Sequence, residues 1–197
     1  MTVETLRRSP LAEQATRFAS LSPALRVAEE PFLTQLTVRV RDDAAIARLG
    51  AALGVALPVT PCTFTRGPGA VEICWLGPDE YLVLGTRPEL EDVVRSALGD
   101  APGAVADVSG QRTLVTLSGP RVRDVLAHGC SVDLHPNVAV TGTCVQTLLA
   151  RTGIVLLVRD AARDEFAVLV RSSFAAYFGA WLIDAAIEYV PFSGDQE

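Results

Sequence analysis

An internal repeat constrains the fold of this chain more than any other feature of its sequence. The segment Asp79–Leu84 (DEYLVL) aligns with Asp164–Leu169 (DEFAVL) at a constant offset of 85 residues. Both segments have the apolar and aromatic content of strands, and a helical pattern follows each of them. The same order of elements, strand–helix–strand–strand–strand–helix, surrounds each copy. The sequence therefore predicts an α+β fold of two ferredoxin-like halves whose sheets and helices pack together.

The first half is predicted over residues 32–100. Its first strand leads to a helix at 42–53, where the apolar residues have helical spacing and Gly54 ends the pattern. A second helix is predicted between Pro88 and Gly99, because proline suits a helix start and glycine a helix end. The three strands between these helices are CTFTR, AVEICWLG and EYLVLG.

The second half is predicted over residues 101–190. A strand region (AVADVSGQRTLVTLSG) leads to a helix between Pro120 and Gly129. The strands GTCVQTLLAR, GIVLLVR and EFAVLVR follow. A closing helix is expected to start at Ser172 or Ser173, since a serine hydroxyl suits the N-cap.

The segments outside the two halves lack sustained periodicity. Residues 1–31 contain three prolines and are expected to form an N-terminal arm with one short helix around Leu11–Ser20. Residues 191–197 are expected to be a C-terminal tail.

The chain has few charged residues. They make up 20% of the sequence, against 49% hydrophobic residues, and soluble domains typically carry about a quarter. Either part of the surface is buried against a partner, or the core is rich in alanine and valine. The net charge of −6 argues against nucleic acid and an anionic membrane face as partners, because both require clustered cations. The absence of lysine excludes Schiff-base chemistry on a lysine.

The sequence shows no signal for export or for insertion into a membrane. The first 14 residues have no apolar core of a signal peptide, and the longest apolar stretch, 174–187, is interrupted by Asp184 and is too short to span a bilayer. The four cysteines show no CxxC pairing. A cytoplasmic protein with reduced thiols is therefore expected.

The segment HGCSVDLHP, residues 128–136, holds both histidines of the chain. Its residue types allow a metal site, or a Cys130 nucleophile with His135 and Asp133. The spacing His-x-Cys-x4-His, with Cys144 nine residues further on, matches no close zinc-ligand pair. The remaining interpretation is a helix C-terminus at His128 that runs into a turn. We expect no catalytic, cofactor-binding or metal-binding residue in this chain.

Two regions are candidates for partner contacts. In the closing helix one apolar stripe (Phe174, Phe178, Trp181, Ala185) suits a core. Apolar and aromatic residues also lie outside that stripe, which favours cover on a second side. The polar run DVSGQR (107–112) either satisfies turn amides or contacts a partner or ligand. The contact candidates from these two regions are Tyr177, Ile183, Tyr189, Asp107 and Arg112.

Several longer motifs resemble the gamma subunit of heterotetrameric sarcosine oxidase. They are RRSPLA at 7–12, WLGPDEYLV at 75–83, and the second-half runs DVSGQRTLVTLSGPRVRDVLAHGCSVDLH, GTCVQTLLAR and DEFAVLVRSSFAAYFGAWLIDAA. The resemblance spans the chain from Arg7 to about Tyr189. It implies a fold similar to the folate-binding domain of aminomethyltransferases.

The same resemblance implies a function for the assembly and a non-catalytic role for this chain. The family's complex oxidatively demethylates sarcosine to glycine, with hydrogen peroxide and, with tetrahydrofolate, methylenetetrahydrofolate as co-products. It implies partners in the alpha, beta and delta subunits, which would hold FAD, FMN, NAD, tetrahydrofolate and zinc, and no cofactor in this chain. Related folate-dependent proteins carry Lys-Gly-Cys-Tyr-x-Gly-Gln-Glu, whereas residues 142–147 here read GTCVQT, without the lysine and the glutamate. A stand-alone folate-binding module is therefore the alternative, and no folate site is assigned to any residue.

Overall fold

Two five-stranded antiparallel sheets organise the part of the chain that the computed structural model describes, residues 7–190. The expected tail and the first six residues of the expected arm lie outside the described residues. The strands are β1 (Arg26–Glu30), β2 (Thr34–Val40), β3 (Phe64–Arg66), β4 (Glu72–Gly77), β5 (Glu80–Gly85), β6 (Gly103–Asp107), β7 (Arg112–Ser118), β8 (Cys144–Leu149), β9 (Thr152–Asp160) and β10 (Glu165–Arg171). The helices are α1 (Ala15–Ala19), α2 (Asp43–Leu53), α3 (Leu90–Leu98), α4 (Val122–Ala127) and α5 (Ala175–Ala186).

The strand orders confirm the repeat and the α+β class. The first sheet runs β3-β4-β5-β2-β6, and the second runs β8-β9-β10-β7-β1. Four strands of each half thus lie in the same order. The repeated Asp-Glu motif also has the same local chemistry in both copies. Asp79 accepts hydrogen bonds from Arg39 and Arg41 at 3.0 and 2.9 Å, and Asp164 accepts one from Arg123 at 2.5 Å.

The fifth strand of each sheet comes from the other half of the sequence. β1 precedes β2 in the chain, yet it pairs with β7 in the second sheet, with Arg26 opposite Ser118. β6 precedes β7, yet it pairs with β2 in the first sheet, with Gly103 opposite Val40. The repeat is therefore longer than predicted, because each half begins with an additional strand that completes the other sheet.

The chain divides into two compact units, each of which contains one sheet. The residue ranges of these units differ from the predicted ranges of the two halves. The described chain divides into a unit with the first sheet (32–112 and 142–146) and a unit with the second sheet (7–31, 113–141 and 147–190). The division falls after residue 112, where 100 was expected, because β6 pairs with β2. Residues 7–31, expected as an arm, belong to the second-sheet unit because β1 pairs with β7 and because Leu11 and Phe18 are buried.

The helices α2 and α3 pack on one face of the first sheet. The Asp42 carboxylate caps α2 by accepting the Ala45 N–H at 2.7 Å, and Gly54 ends the helix at φ 72°, a left-handed conformation that glycine adopts readily. The side chains that face these helices from the sheet form a continuous core (Leu36, Val38, Val40, Val71, Ile73, Tyr81, Val83). Local capping and core burial thus agree with the predicted α2.

The closing helix differs from its prediction in start and phase. Residues 172–174 form a 3₁₀ turn, and Phe174 takes the N-cap position of α5 without a side-chain hydrogen bond, so the predicted serine N-cap is wrong. The buried stripe of α5 is Ala175, Phe178, Gly179, Leu182, Ile183 and Ala186. Phe174, which was predicted in the core stripe, is 43% exposed. Ile183, which was predicted as a partner contact, is only 8% exposed.

No helix within residues 7–190 has the length and hydropathy needed to cross a membrane.

Candidate functional site

The segment 128–136 begins at the C-terminus of α4, as predicted. His128 is the C-cap residue, and its backbone N–H donates to the last turn of the helix. Its imidazole contacts side chains and not the last carbonyls: Nε2 lies 2.9 Å from the Tyr189 hydroxyl and 2.8 Å from a Glu188 carboxylate oxygen. Desolvation and the neighbouring Glu188 carboxylate raise the pKa of Tyr189, so the phenol stays protonated at neutral pH. This histidine therefore joins the end of α4 to the turn that follows α5.

The other reactive side chains of the segment have separate local roles. Asp133 accepts the His135 N–H at 2.8 Å, and the His135 Nδ1 accepts the Asn137 N–H at 3.2 Å. Cys130 bridges to Leu149 through the backbone. Across the residues that the structure describes, no three His, Cys, Asp or Glu side chains converge on a possible metal position. The hydrogen bonds of Asp133 and His135 thus build a turn.

The thiol of Cys130 should react slowly with alkylating reagents. Burial raises its pKa, and backbone hydrogen bonds of Val132 and Ser131 offset only part of that effect, so the thiolate fraction at pH 8 is lower than for an ordinary cysteine. Timed iodoacetamide labelling, followed by peptide mass spectrometry, should show the exposed Cys62 modified before Cys130. Labelling of Cys130 at the rate of Cys62 would support an activated nucleophile and contradict this account.

Arg123 holds the 128–136 segment in place. Its guanidinium donates to the Leu134 carbonyl, to the Ala161 carbonyl at 3.1 Å and to Asp164 at 2.5 Å. It also lies over the Phe166 ring, 5.0 Å from the centroid. A planar group with several donors suits this arrangement better than an ammonium group. One side chain from α4 thus joins the segment to the β9–β10 turn.

Gly129 has no room for a side chain. A Cβ atom there would lie 2.8 Å from the Ala150 backbone N and 2.8 Å from the Trp181 ring. We expect Gly129→Ala to destabilise the protein by about 1–2 kcal/mol, because backbone atoms on one side do not yield easily. Gly153→Ala is the matched control, since nothing lies within 4 Å of the added atom. Equal urea midpoints for the two variants would contradict the close approach of Ala150 and Trp181 to Gly129.

The run 107–112 forms a polar turn around a buried amide. Asp107 accepts the Ser109 N–H at 2.8 Å, and Ser109 Oγ accepts the Gln35 N–H at 3.0 Å. The Gln35 side chain is 1% exposed, and its Nε2 donates to the Arg112 carbonyl at 2.6 Å. The Arg112 guanidinium donates to Gln111 at 2.6 Å. The prediction that Asp107 satisfies a turn amide is confirmed.

Large apolar side chains are exposed on α5 and at the two residues that flank it. Phe174 is 43% exposed, Tyr177 41% and Ile187 66%. We call these three residues the α5 face. Exposed Asp184 and Glu188 are its only charged neighbours within residues 174–190. Exposed side chains of this size often mark an interaction surface, so the α5 face is the candidate contact surface.

Sequence reasoning missed Arg123 and Gln35. Both act mainly on backbone carbonyls that are distant in sequence, 11 and 38 residues away for Arg123 and 77 for Gln35. Such contacts leave no spacing pattern. The one available signal for Gln35 is a polar side chain between the apolar residues at the start of β2.

The fold defines the class of this protein. Its structure superposes on the aminomethyltransferase T of the glycine cleavage system from Bartonella henselae with a TM-score of 0.61 at 13% identity, over 89% of this chain and 52% of that one. This likeness shows an aminomethyltransferase-like fold and nothing of activity.

The family follows from closer matches. Residues 39–188 match the sarcosine oxidase, gamma subunit family, and the chain belongs to that family. It is 35% identical over 190 residues to a sarcosine oxidase subunit gamma from Corynebacterium sp. (strain U-96), covering 93% of this chain and 92% of that protein. Identity to the subunit gamma from Arthrobacter sp. is 36% over 189 residues, with coverage of 94% and 92%. A chain of the heterotetrameric sarcosine oxidase from Corynebacterium sp. U-96, solved with pyrrole 2-carboxylate, superposes with a TM-score of 0.87 at 34% identity, over 96% of this chain and 100% of that chain.

Proposed function

We propose that this chain is a non-catalytic gamma subunit of a heterotetrameric sarcosine oxidase. The match along nearly the full length of both chains to a component of such a complex carries this proposal. The complex would demethylate sarcosine oxidatively to glycine and form hydrogen peroxide and methylenetetrahydrofolate. The alpha, beta and delta subunits would hold FAD, FMN, NAD, tetrahydrofolate and zinc. Four free cysteines suit a reducing compartment, and we place the complex in the cytoplasm.

The use of the reactive side chains supports a non-catalytic role. The histidines and Asp133 of the 128–136 segment are engaged in local structure. In the run 142–147, Cys144 is 1% exposed, and the Gln146 amide donates to the Leu76 carbonyl at 3.0 Å. These groups shape turns and strand ends. The alternative of a stand-alone folate module is not favoured, and calorimetry with millimolar tetrahydrofolate should give no heat of binding.

The α5 face is the proposed contact with another subunit. Tyr177, its central residue, is large, aromatic and exposed, as interface anchors usually are. Tyr189, half-buried beside His128, borders this surface in sequence, and Asp107 and Arg112 remain proposed contacts in the other unit. Ile183 leaves this set because it is buried in the chain's own core.

The α5 face is tested by Tyr177→Glu. A carboxylate at this position would have to be desolvated on association, so we expect at least a tenfold loss of the share that co-purifies with the other subunits. Val59→Glu is the control, since it also replaces an exposed apolar residue by a charge, and it should leave assembly unchanged. Normal assembly of the Tyr177 variant would show that the α5 face is not part of the interface.

A further inference from the structure

A cavity lies beside the N-terminal end of α2. It has a volume of about 480 Å³, and all the residues that line it belong to the unit with the first sheet. Its walls are apolar side chains from α2, from the loop before β3 and from the turn between β4 and β5 (Ile46, Val59, Pro61, Pro78). Ligand cavities in proteins usually measure about 300–1,000 Å³ and combine apolar walls with a few polar groups. This cavity therefore has the size and the walls of a site for a small molecule.

Tyr81 and Trp75 supply two unused hydrogen-bond donors to this cavity. Tyr81 is 3% exposed, and its hydroxyl makes no hydrogen bond with any residue between 7 and 190. The hydroxyl is not sealed off from solvent, so it opens into the cavity that its residue lines. Burial and the nearby Asp79 carboxylate raise the pKa of Tyr81, so the phenol is neutral and can donate. The indole N–H of the half-buried Trp75, on the same cavity, also has no partner in the described chain.

Two charged residues line the cavity, and they differ in their partners. The Arg41 guanidinium donates through Nε to Asp79 at 2.9 Å, which leaves its terminal nitrogens for another acceptor. Arg39 bonds both Asp79 and Glu80, so the two arginines and the two carboxylates balance each other. Asp43, exposed in the first turn of α2, forms no ion pair within the residues that the structure describes. The cavity thus offers several donors to an anionic group and one carboxylate to a cation.

We propose that this cavity binds a free α-amino acid with a large apolar side chain. The ligand carboxylate accepts hydrogen bonds from Tyr81 and Arg41, its ammonium group pairs with Asp43, and its side chain packs against Trp75 and the apolar walls. The neighbouring Asp42 carboxylate already caps α2, so it does not compete for the ammonium group. A simple amine would leave the donors unmatched, and a simple carboxylate would leave the acidic side chain unmatched. The site lies within this chain and does not depend on assembly with other subunits.

Titration of the full chain with L-phenylalanine, followed by tryptophan fluorescence, tests the site. The chain has two tryptophans, and of these Trp75 lines the cavity. We expect a saturable change in emission with a dissociation constant of about 1 mM or lower, and no change in the Trp75→Phe variant, which keeps Trp181. The analogue 3-phenylpropanoate lacks the ammonium group, and 2-phenylethylamine lacks the carboxylate. Each should bind about tenfold or more weakly, because each loses a charge-assisted contact.

Three variants assign the contacts. Tyr81→Phe removes only the hydroxyl and should weaken L-phenylalanine binding about tenfold. Asp43→Asn should weaken it similarly and leave the affinity for 3-phenylpropanoate unchanged. Asp92→Asn is the matched control, since it also neutralises an exposed carboxylate in the first turn of a helix, and Asp92 does not line this cavity.

Two results overturn the inference. One is the absence of saturable binding at millimolar L-phenylalanine, or binding no tighter than that of the two analogues. The other is an unchanged affinity for L-phenylalanine in both Tyr81→Phe and Asp43→Asn. Neither result bears on the proposed function, which is tested by assembly with the other subunits.

Discussion

Phe178→Ala should destabilise the protein by about 3–5 kcal/mol, the cost of removing a large aromatic side chain from a packed core. Phe178 is 1% exposed at the centre of the buried stripe of α5. Its ring lies 6.4 Å from that of Trp181. The neighbouring turn packs against the N-terminal segment, since an added Cβ at Gly179 would lie 3.0 Å from Leu11 and 3.3 Å from Phe18. A cavity at Phe178 is therefore bordered by elements that cannot easily close it.

Phe174→Ala is the matched control, one turn earlier and of the same residue type. Phe174 is 43% exposed, so its truncation should change the free energy of unfolding by no more than about 0.5 kcal/mol. Urea denaturation of both variants measures the difference directly. Equal losses for Phe174 and Phe178 would mean that the predicted stripe, which contains both residues, faces the core.

Arg123→Ala should cost about 3 kcal/mol. The side chain is 17% exposed, and its loss leaves the Leu134 and Ala161 carbonyls and the Asp164 carboxylate without their shared donor. Hydrogen bonds to a charged group are worth about 1.5–3 kcal/mol each, and they do not add fully because they share one side chain. Arg123→Lys should recover less than half of the loss, since an ammonium group does not reproduce the guanidinium geometry.

The control for Arg123 is Arg163→Ala. Arg163 is 77% exposed and lies 3.7 Å from Asp160, a surface pair that should contribute about 0.5 kcal/mol or less. If the two alanine variants unfold at the same urea concentration, the contacts of Arg123 do not stabilise the 128–136 segment.

The order of elements was predictable because its signals are local. The capping residue Asp42, the stop at Gly54 and the apolar runs of β5 and β10 act within a few residues of each other. The exchange of β1 and β6 between the sheets was not predictable. The choice of sheet depends on residues far along the chain, such as Ser118 opposite Arg26. The sequence of β1 (RVAEE) also lacks the alternation of a half-buried strand.

The phase of α5 shows a different limit. The helix is apolar nearly all round, so its sequence holds little information about which side is buried. The 3₁₀ turn at 172–174 then separates Phe174 from the regular α-helical spacing that starts at Ala175. A stripe counted from Phe174 therefore has the wrong phase. Of the two contact candidates on this helix, Tyr177 is exposed and Ile183 is buried.

The role of the 128–136 segment could also be assigned only from the structure. Ligand spacing argued against zinc, but only the side-chain partners distinguish a turn from a nucleophile with its base. His128 lies beside Glu188 and Tyr189, which are 60 and 61 residues away in sequence. His128 stabilises the join between α4 and the turn that follows α5, whereas Asp133 and His135 shape the turn within the segment.

Native mass spectrometry of the tagged chain, co-expressed with the other subunits, tests the central claim most directly. The account predicts one heterotetramer that contains this chain and oxidises sarcosine, while the isolated chain consumes no oxygen with sarcosine. A chain that stays alone while the remaining subunits assemble and turn over normally, or sarcosine oxidation by the isolated chain, would contradict it.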